Sequence, residues 1–204
     1  MESEGRICDV KIEPGVKVHT AWDLGVGDAT AIWAIQCVGR SRHLVEYYEA
    51  SGVPLHHFVE KLNEWKYRYH WSYGQHFLPH DAKQRELQSA MSRIETLRSL
   101  GIEPEVVAAH HPLDGINAVR RMLDRTWIDA KRCERGIECL RAYRYDWKEK
   151  QRTWSPWPVH DWSSHCCDAL RTFATGYDDP SFTTANRARE RYSPPIVSTS
   201  HWAS

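Results

Sequence analysis

Hydrophobic and polar positions change rhythm several times along the chain. Val16 to Trp22 alternates enough to read as a strand, ending at Asp23 and the glycine-bearing turn Asp23-Leu24-Gly25-Val26-Gly27-Asp28. Ala29 to Val38 is almost continuously apolar, the pattern of a strand covered on both faces. After the turn Gly39-Arg40-Ser41-Arg42, a third strand runs from His43 to Tyr48. Short turns between three successive strands predict an antiparallel meander. Arg6 to Val10 can add an edge strand ahead of it.

The period then lengthens. Leu55, Phe58, Val59, Leu62 and Trp65 form one helical stripe behind Pro54. A short strand, Phe77 to His80, leads into Asp81, and Lys83 to Ser89 reads as a charged loop. Helices are expected over Ser92–Leu100 (closed by Gly101), Leu113–Leu123, Ala130–Tyr143 and Ser164–Tyr177. Brief strands are expected at Val106–Ala109 and Trp127-Ile128, and a hairpin within Arg144–Pro158. A meander followed by alternating helices and strands is a mixed α/β sheet flanked by helices. With a crossover helix between them, strands ending at Asp23 and Asp81 can lie side by side on one edge.

Length, composition and charge narrow the organisation. The chain has 204 residues, enough for one well-cored domain. Residues 1–15 read as an interdomain lead-in, 16–177 as the domain, and 178–204, rich in Pro, Ser, Thr and Arg, as a flexible tail. Lys plus Arg and Asp plus Glu each total 27, so any basic surface is local. Lys131, Arg132, Arg135 and Arg141, with Arg144, Lys148, Lys150 and Arg152, outnumber the acids around them and are candidates for tracking phosphates. A solvated helix face of mixed charge is the plainer alternative. No apolar run reaches membrane-spanning length, and nothing at the N-terminus resembles a leader peptide. The six cysteines form no CxxC pair, which favours buried reduced thiols over zinc.

Three aspartates from distant parts of the chain end or open regular elements. Asp23 closes the first strand, Asp81 follows Phe77-Leu78-Pro79-His80, and Asp168 lies near the start of the last helix, for which Ser164 is the expected N-cap. Each has an ordinary reading: an Asx turn before glycine, a helix N-cap, compensation of the helix dipole. Brought to one point they form an oxygen site for hard cations such as Mg²⁺ or Mn²⁺, two of which can clamp an in-line phosphoryl displacement. Asp28 and His165 are candidate neighbours of that site, His165 lying one helical turn before Asp168. His160 and Asp161 fit a structural role at the approach to the helix.

The stretches Trp22-Asp23-Leu24-Gly25-Val26-Gly27-Asp28-Ala29-Thr30, Leu78-Pro79-His80-Asp81-Ala82, Asp114-Gly115-Ile116-Asn117-Ala118-Val119-Arg120 and His160-Asp161-Trp162-Ser163-Ser164-His165, leading to Cys167-Asp168-Ala169-Leu170-Arg171, occur in this order. In that order they resemble the C-terminal nuclease domain of the large terminase subunit of tailed bacteriophages. The resemblance implies an RNase H-like fold and a metal-dependent endonuclease that cuts concatemeric viral DNA during genome packaging. It implies Asp23, Asp81 and Asp168 as ligands of two Mg²⁺ or Mn²⁺ ions, with Asp28 and His165 beside them. The implied partners are double-stranded DNA, an N-terminal ATPase motor domain, the viral portal and the small terminase subunit, in the host cytoplasm and without a membrane. The chain has no GxxxxGK[ST] loop, so Met1 is read as an artificial start and translocation is not expected of this chain alone. Other readings are a portal- or motor-docking module, a resolvase- or transposase-like nuclease of the same fold, and an actin-like ATPase hairpin at Asp23–Thr30, for which the chain lacks a second lobe.

Overall fold

The structure is a computed structural model that describes residues 1–25, 28–83 and 91–178. Most of the expected Lys83–Ser89 loop, the Val26-Gly27 part of the first turn and nearly all of the expected tail lie outside the described residues.

The strands are β1 (Ile7–Cys8), β2 (Val18–Asp23), β3 (Ala29–Val38), β4 (Ser41–Ser51), β5 (Tyr73–Leu78), β6 (Pro104–Val106), β7 (Thr126–Asp129), β8 (Tyr145–Lys148) and β9 (Thr153–Pro158). The helices are α1 (Leu55–Tyr69), α2 (Arg93–Ser99), α3 (Pro112–Leu123), α4 (Glu134–Ala142) and α5 (Ser164–Gly176), with a 3-10 turn at His80–Lys83. Seven strands form one sheet in the order β1-β7-β4-β3-β2-β5-β6, and β8-β9 is a separate hairpin. The meander is present: β3 pairs antiparallel with both β2 and β4. Then β5 joins β2, β6 joins β5, and β7 joins β4, all parallel. This is the RNase H-like mixed sheet, antiparallel in the middle and parallel outward.

The alternation along each strand divides the core. Ala21, Ala31, Trp33, Ile35, Leu44 and Phe77 face α3, α4 and α5, where Ile137, Cys166, Leu170 and Phe173 meet them. Val18, Trp22, Ile32, Ala34, Val45 and Leu78 face α1 and α2, against Phe58, Leu62, Trp65 and Leu97. Trp22 and Trp33, on opposite faces, are fully buried, and each contributes about 2–3 kcal/mol of apolar burial. Trp33 Nε1 also donates to the Cys166 carbonyl at 2.9 Å, pinning α5 to the central strand. Gly136 lets α4 approach the same indole, because a Cβ there would stand 2.4 Å from Trp33 Cη2. All six cysteines are free thiols, and four of them are buried. No described helix is long and apolar enough to cross a membrane.

Several expected boundaries move. β5 begins at Tyr73, not Phe77, because pairing with β2 recruits polar residues that show no apolar signal. β6 ends at Val106, where the edge pairing with β5 stops. α4 starts at Glu134, not Ala130: Asp129 Oδ1 accepts the Lys131 and Arg132 amides at 3.1 and 2.7 Å, and this Asx turn delays the helix. Part of the lead-in is tied to the sheet, with β1 parallel to β7 and the Val10 amide donating to Asp129 Oδ2 at 3.0 Å.

Candidate metal centre

Asp23 is the last residue of β2, and by alternation its side chain shares the α5 face with Ala21 and His19. The turn after it is held from the other side. Arg93, buried at the start of α2, donates to the Leu24 carbonyl at 2.7 Å and to Gly25 at 3.4 Å. Gly25 is required there, since a Cβ would lie 2.4 Å from the Ala29 carbonyl oxygen. Asp28 then re-enters β3, its Oδ1 accepting the Ala29 amide at 2.9 Å. That amide, together with His165, holds the Asp28 carboxyl below the ordinary range.

α5 delivers the second group of side chains. The helix starts at Ser164 with Ser163 in the N-cap position, so Ser164 is not the cap. Neither serine caps the helix with its side chain. The start is built by Asp161, whose Oδ1 accepts the Ser163 amide at 2.9 Å and the Ser163 hydroxyl at 2.6 Å. Arg144 sits 2.8 Å from its other oxygen. These bonds, those from Ser163 first, hold the Asp161 carboxyl down to about 2.

His165 is buried between two carboxylates. Its Nδ1 is 2.9 Å from Asp23 Oδ2, and its Nε2 is 3.2 Å from Asp28 Oδ2. The bond to Asp23 raises the imidazole to about 9, against the opposing effect of burial. The charges of Asp23, Asp28 and Asp168 add to the rise. His160 Nε2 approaches Asp28 Oδ2 at 3.8 Å, and its Nδ1 lies 3.0 Å from the Ser164 hydroxyl. Asp28, His160 and His165 offer ligand atoms within 4.8 Å of one another. His160, read from sequence as structural, therefore belongs to the cluster. Its signal was only its spacing, five residues ahead of His165 across a helix start.

Asp168 is one turn further along α5, beyond its first turn. Dipole compensation therefore does not govern it. Burial pushes its carboxyl up to about 6; Arg171, with Nη2 2.6 Å from Asp168 Oδ1, opposes the rise, and Asp23 adds to it. Arg171, within the matching stretch Cys167–Arg171 but assigned no role from sequence, is thus a residue of the site.

Asp81 lies in the 3-10 turn after β5, beside the end of β2 because Ala21 pairs with Phe77. Its Oδ1 is sealed from solvent and has no hydrogen-bond partner among the described residues. It does not cap a regular α-helix, and Ala82 donates its amide to Pro79 instead. Asp23 and Asp168 thus meet around His165, while Asp81 approaches the same sheet edge through the strand pairing.

The four proposed phosphate-tracking residues are placed differently from one another. Arg132 is ion-paired to Asp129 at 2.7 Å and half-buried. Arg135 pairs with Glu49 at 2.7 Å and covers the Trp162 ring, 4.5 Å from its centroid. Arg141 pairs with Glu2, and Lys131 is exposed. The positive charge of this face is thus largely matched within the protein.

As a sequence, the chain matches no protein-family model and no curated protein. As a structure it is similar to several solved proteins. Over 86% of this chain and 43% of the other, it superposes on the large terminase of a thermophilic bacteriophage with a TM-score of 0.66 and 19% identity. It matches the P22 large terminase nuclease domain with a TM-score of 0.62 and 17% identity, covering 85% of this chain and 88% of that one. The large terminase nuclease domain of bacteriophage SPP1, solved with bound Mn, gives 0.57 and 18% over 79% and 87%. The chain spans less than half of the first of these proteins and most of the isolated nuclease domains. Its fold is that of the large terminase nuclease domain.

Proposed function

We propose that this chain is a divalent-metal-dependent endonuclease that cuts double-stranded DNA, with Asp23, Asp81 and Asp168 holding two Mg²⁺ or Mn²⁺ ions. The observation that carries this reading is the solvent-sealed Oδ1 of Asp81, without a partner among the described residues, in the 3-10 turn that follows the strand paired with Asp23's own. A buried carboxylate oxygen with no partner costs free energy, and a hard cation is the partner its chemistry suits. The donor set of three carboxylates fits Mg²⁺ or Mn²⁺ better than zinc, and the SPP1 domain of the same fold was solved with Mn.

The bound ions would supply charge for the attacking and leaving oxygens of an in-line phosphodiester hydrolysis, with water as nucleophile. The residues provide the frame. Asp23 ends β2 and Asp81 lies in the 3-10 turn three residues past the end of β5, the strand paired parallel to β2, so the pairing brings the two carboxylates to the same end of the sheet. Asp168 approaches from α5, itself anchored by Trp33 on Cys166. His165 orients the Asp23 carboxylate and carries a proton between Asp23 and Asp28. Arg171 offsets the charge of Asp168 and restrains its position.

We further read the biological setting as genome packaging in the host cytoplasm. In that setting an N-terminal ATPase motor domain, the portal and the small terminase subunit are the partners. Support comes from the fold and from the chain's covering 43% of a complete large terminase. The domain organisation read from sequence, with 16–177 as the nuclease, belongs to this proposal.

The test is cleavage of supercoiled plasmid with Mn²⁺, Mg²⁺ or EDTA, comparing wild type with Asp81→Asn. Nicking and linearisation that require metal and vanish in the variant support the reading. A folded wild type that leaves the plasmid intact with either metal defeats it.

A further inference from the structure

The hairpin β8–β9 stands apart from the main sheet and carries three tryptophans that the core does not take up. Trp147 is 41% exposed, Trp154 60% and Trp157 49%. Their rings are nevertheless held in place. Trp147 and Trp154 are cross-strand partners, with ring centroids 5.2 Å apart and planes at 69°. Trp157 lies 5.3 Å from the ring of His111, the residue that precedes α3. Lys148, Lys150 and Arg152 lie with Glu149 in the stretch that joins Trp147 to Trp154 at the hairpin's tip, and none of the three cations forms an ion pair among the described residues.

The base of the hairpin adjoins the candidate site. The Val159 amide donates to the Arg144 carbonyl at 2.9 Å and closes the hairpin. The next residue is His160, a member of the cluster with Asp28 and His165. A strand climbs about 3.3 Å per residue, so Trp157, three residues before His160, lies within about 10 Å of it along the chain, and the pair Trp147–Trp154 about twice as far.

We infer that the hairpin Tyr145–Pro158 is a stacking platform for unpaired nucleotides of the DNA that the site handles, an inference that rests on DNA being the substrate. In a duplex each base already has both faces covered by its neighbours. An unpaired base offers a free π-face, and exposed indoles accept any base there without reading its sequence. Purely apolar rings would suit a protein partner as well. The unengaged cations at the tip, beside the Trp147–Trp154 pair, favour a partner that carries phosphates. Bound here, a single-stranded end or gap would be held beside Asp28, His160 and His165.

The experiment is fluorescence anisotropy with the full 204-residue chain in EDTA, so that cleavage does not interfere. The probes are a labelled oligo-dT of about 12 nucleotides, within the usual span of such sites, and a blunt duplex of the same length. Wild type should bind oligo-dT. Trp147→Ala with Trp154→Ala should weaken that binding by roughly 5- to 150-fold for each stacked base lost, with duplex affinity unchanged. Phe at both positions should restore most of the affinity, which a merely unfolded hairpin would not. Wild type that fails to bind oligo-dT overturns the platform and leaves the tryptophans as a protein contact. An equal loss on oligo-dT and duplex overturns it too. Wild type that binds oligo-dT through these tryptophans but leaves plasmid uncut sinks the nuclease reading and not the platform; the reverse pattern sinks only the platform.

Discussion

His165 Nδ1 stands 2.9 Å from Asp23 Oδ2, joining the start of α5 to the end of β2 across 142 positions of chain. One bond thereby sets the distance between the two elements that bring Asp23 and Asp168 together. It is short, largely buried and charge-assisted, the kind of hydrogen bond that contributes about 1.5–3 kcal/mol.

His165→Ala should therefore lower stability by about 2 kcal/mol in urea unfolding without metal. A double-mutant cycle with Asp23→Asn should give a coupling energy of about 1–3 kcal/mol. Strict additivity of the two changes would show that the contact does not hold α5 to the sheet.

Asp81→Asn should behave oppositely. Its sealed Oδ1 has no partner among the described residues, so replacing the carboxylate with an amide removes the charge and gives up no described bond to that oxygen. Stability should stay the same or rise by ~1 kcal/mol while plasmid cleavage is lost, the trade expected of a residue kept for activity. A clear drop in melting temperature would instead identify Asp81 as a structural residue of the 3-10 turn.

Gly136→Ala should be costly for a helix position that ordinarily prefers alanine. The new methyl would meet the fully buried Trp33 ring and Tyr47 Cγ, at 2.4 and 3.0 Å before relaxation. Overpacking of this kind costs about 1–3 kcal/mol, more than the helix propensity of alanine recovers. A stability equal to wild type in chemical denaturation would mean that α4 is free to shift away from the sheet.

Two buried histidines should make the fold sensitive to acid. Burial lowers His19 and His76 to about 4 from the usual 6.5. Thr20 Oγ1, which accepts the Trp22 indole N–H at 2.7 Å, sits 2.7 Å from His76 Nδ1 and suits the neutral ring. Between pH 6.5 and 4 these two histidines bind more protons in the unfolded chain than in the folded one, so their contribution to stability falls as pH falls, while Asp168, raised to about 6, acts in the opposite sense. His76 alone accounts for about 3 kcal/mol. Denaturation midpoints at pH 7 and 4.5 measure the loss, and His76→Gln should flatten the dependence.

The sequence by itself determined the elements whose signal is local. The apolar run Ala29–Val38 became β3 with those same bounds, because a strand covered on both faces must be apolar throughout. The stripe from Leu55 to Trp65 became α1, since an amphipathic helix writes its buried face at helical spacing. Short turns between β2, β3 and β4 fixed their antiparallel order, and Asp23 falls at the end of its strand as expected, whereas Asp81 lies in a 3-10 turn because β5 ends at Leu78. What only the tertiary structure decided depends on groups far apart in the chain. Arg93 acquires its role at the Leu24 carbonyl and His160 at Asp28, while Arg171 matters because Asp168, one turn back on α5, is buried beside Asp23. Asp168 looked like a first-turn acid favoured by the helix dipole. Burial beside Asp23 instead makes its charge costly, because desolvation depends on every element packed around it and on none in particular. Three of the four basic residues proposed to track phosphates, Arg132, Arg135 and Arg141, are paired in three dimensions, since Asp129, Glu49 and Glu2 reach them from other elements or from the turn that precedes the helix. Local patterns specify secondary structure because they act over one or two turns of chain; charge balance and burial are set by the whole assembly of elements.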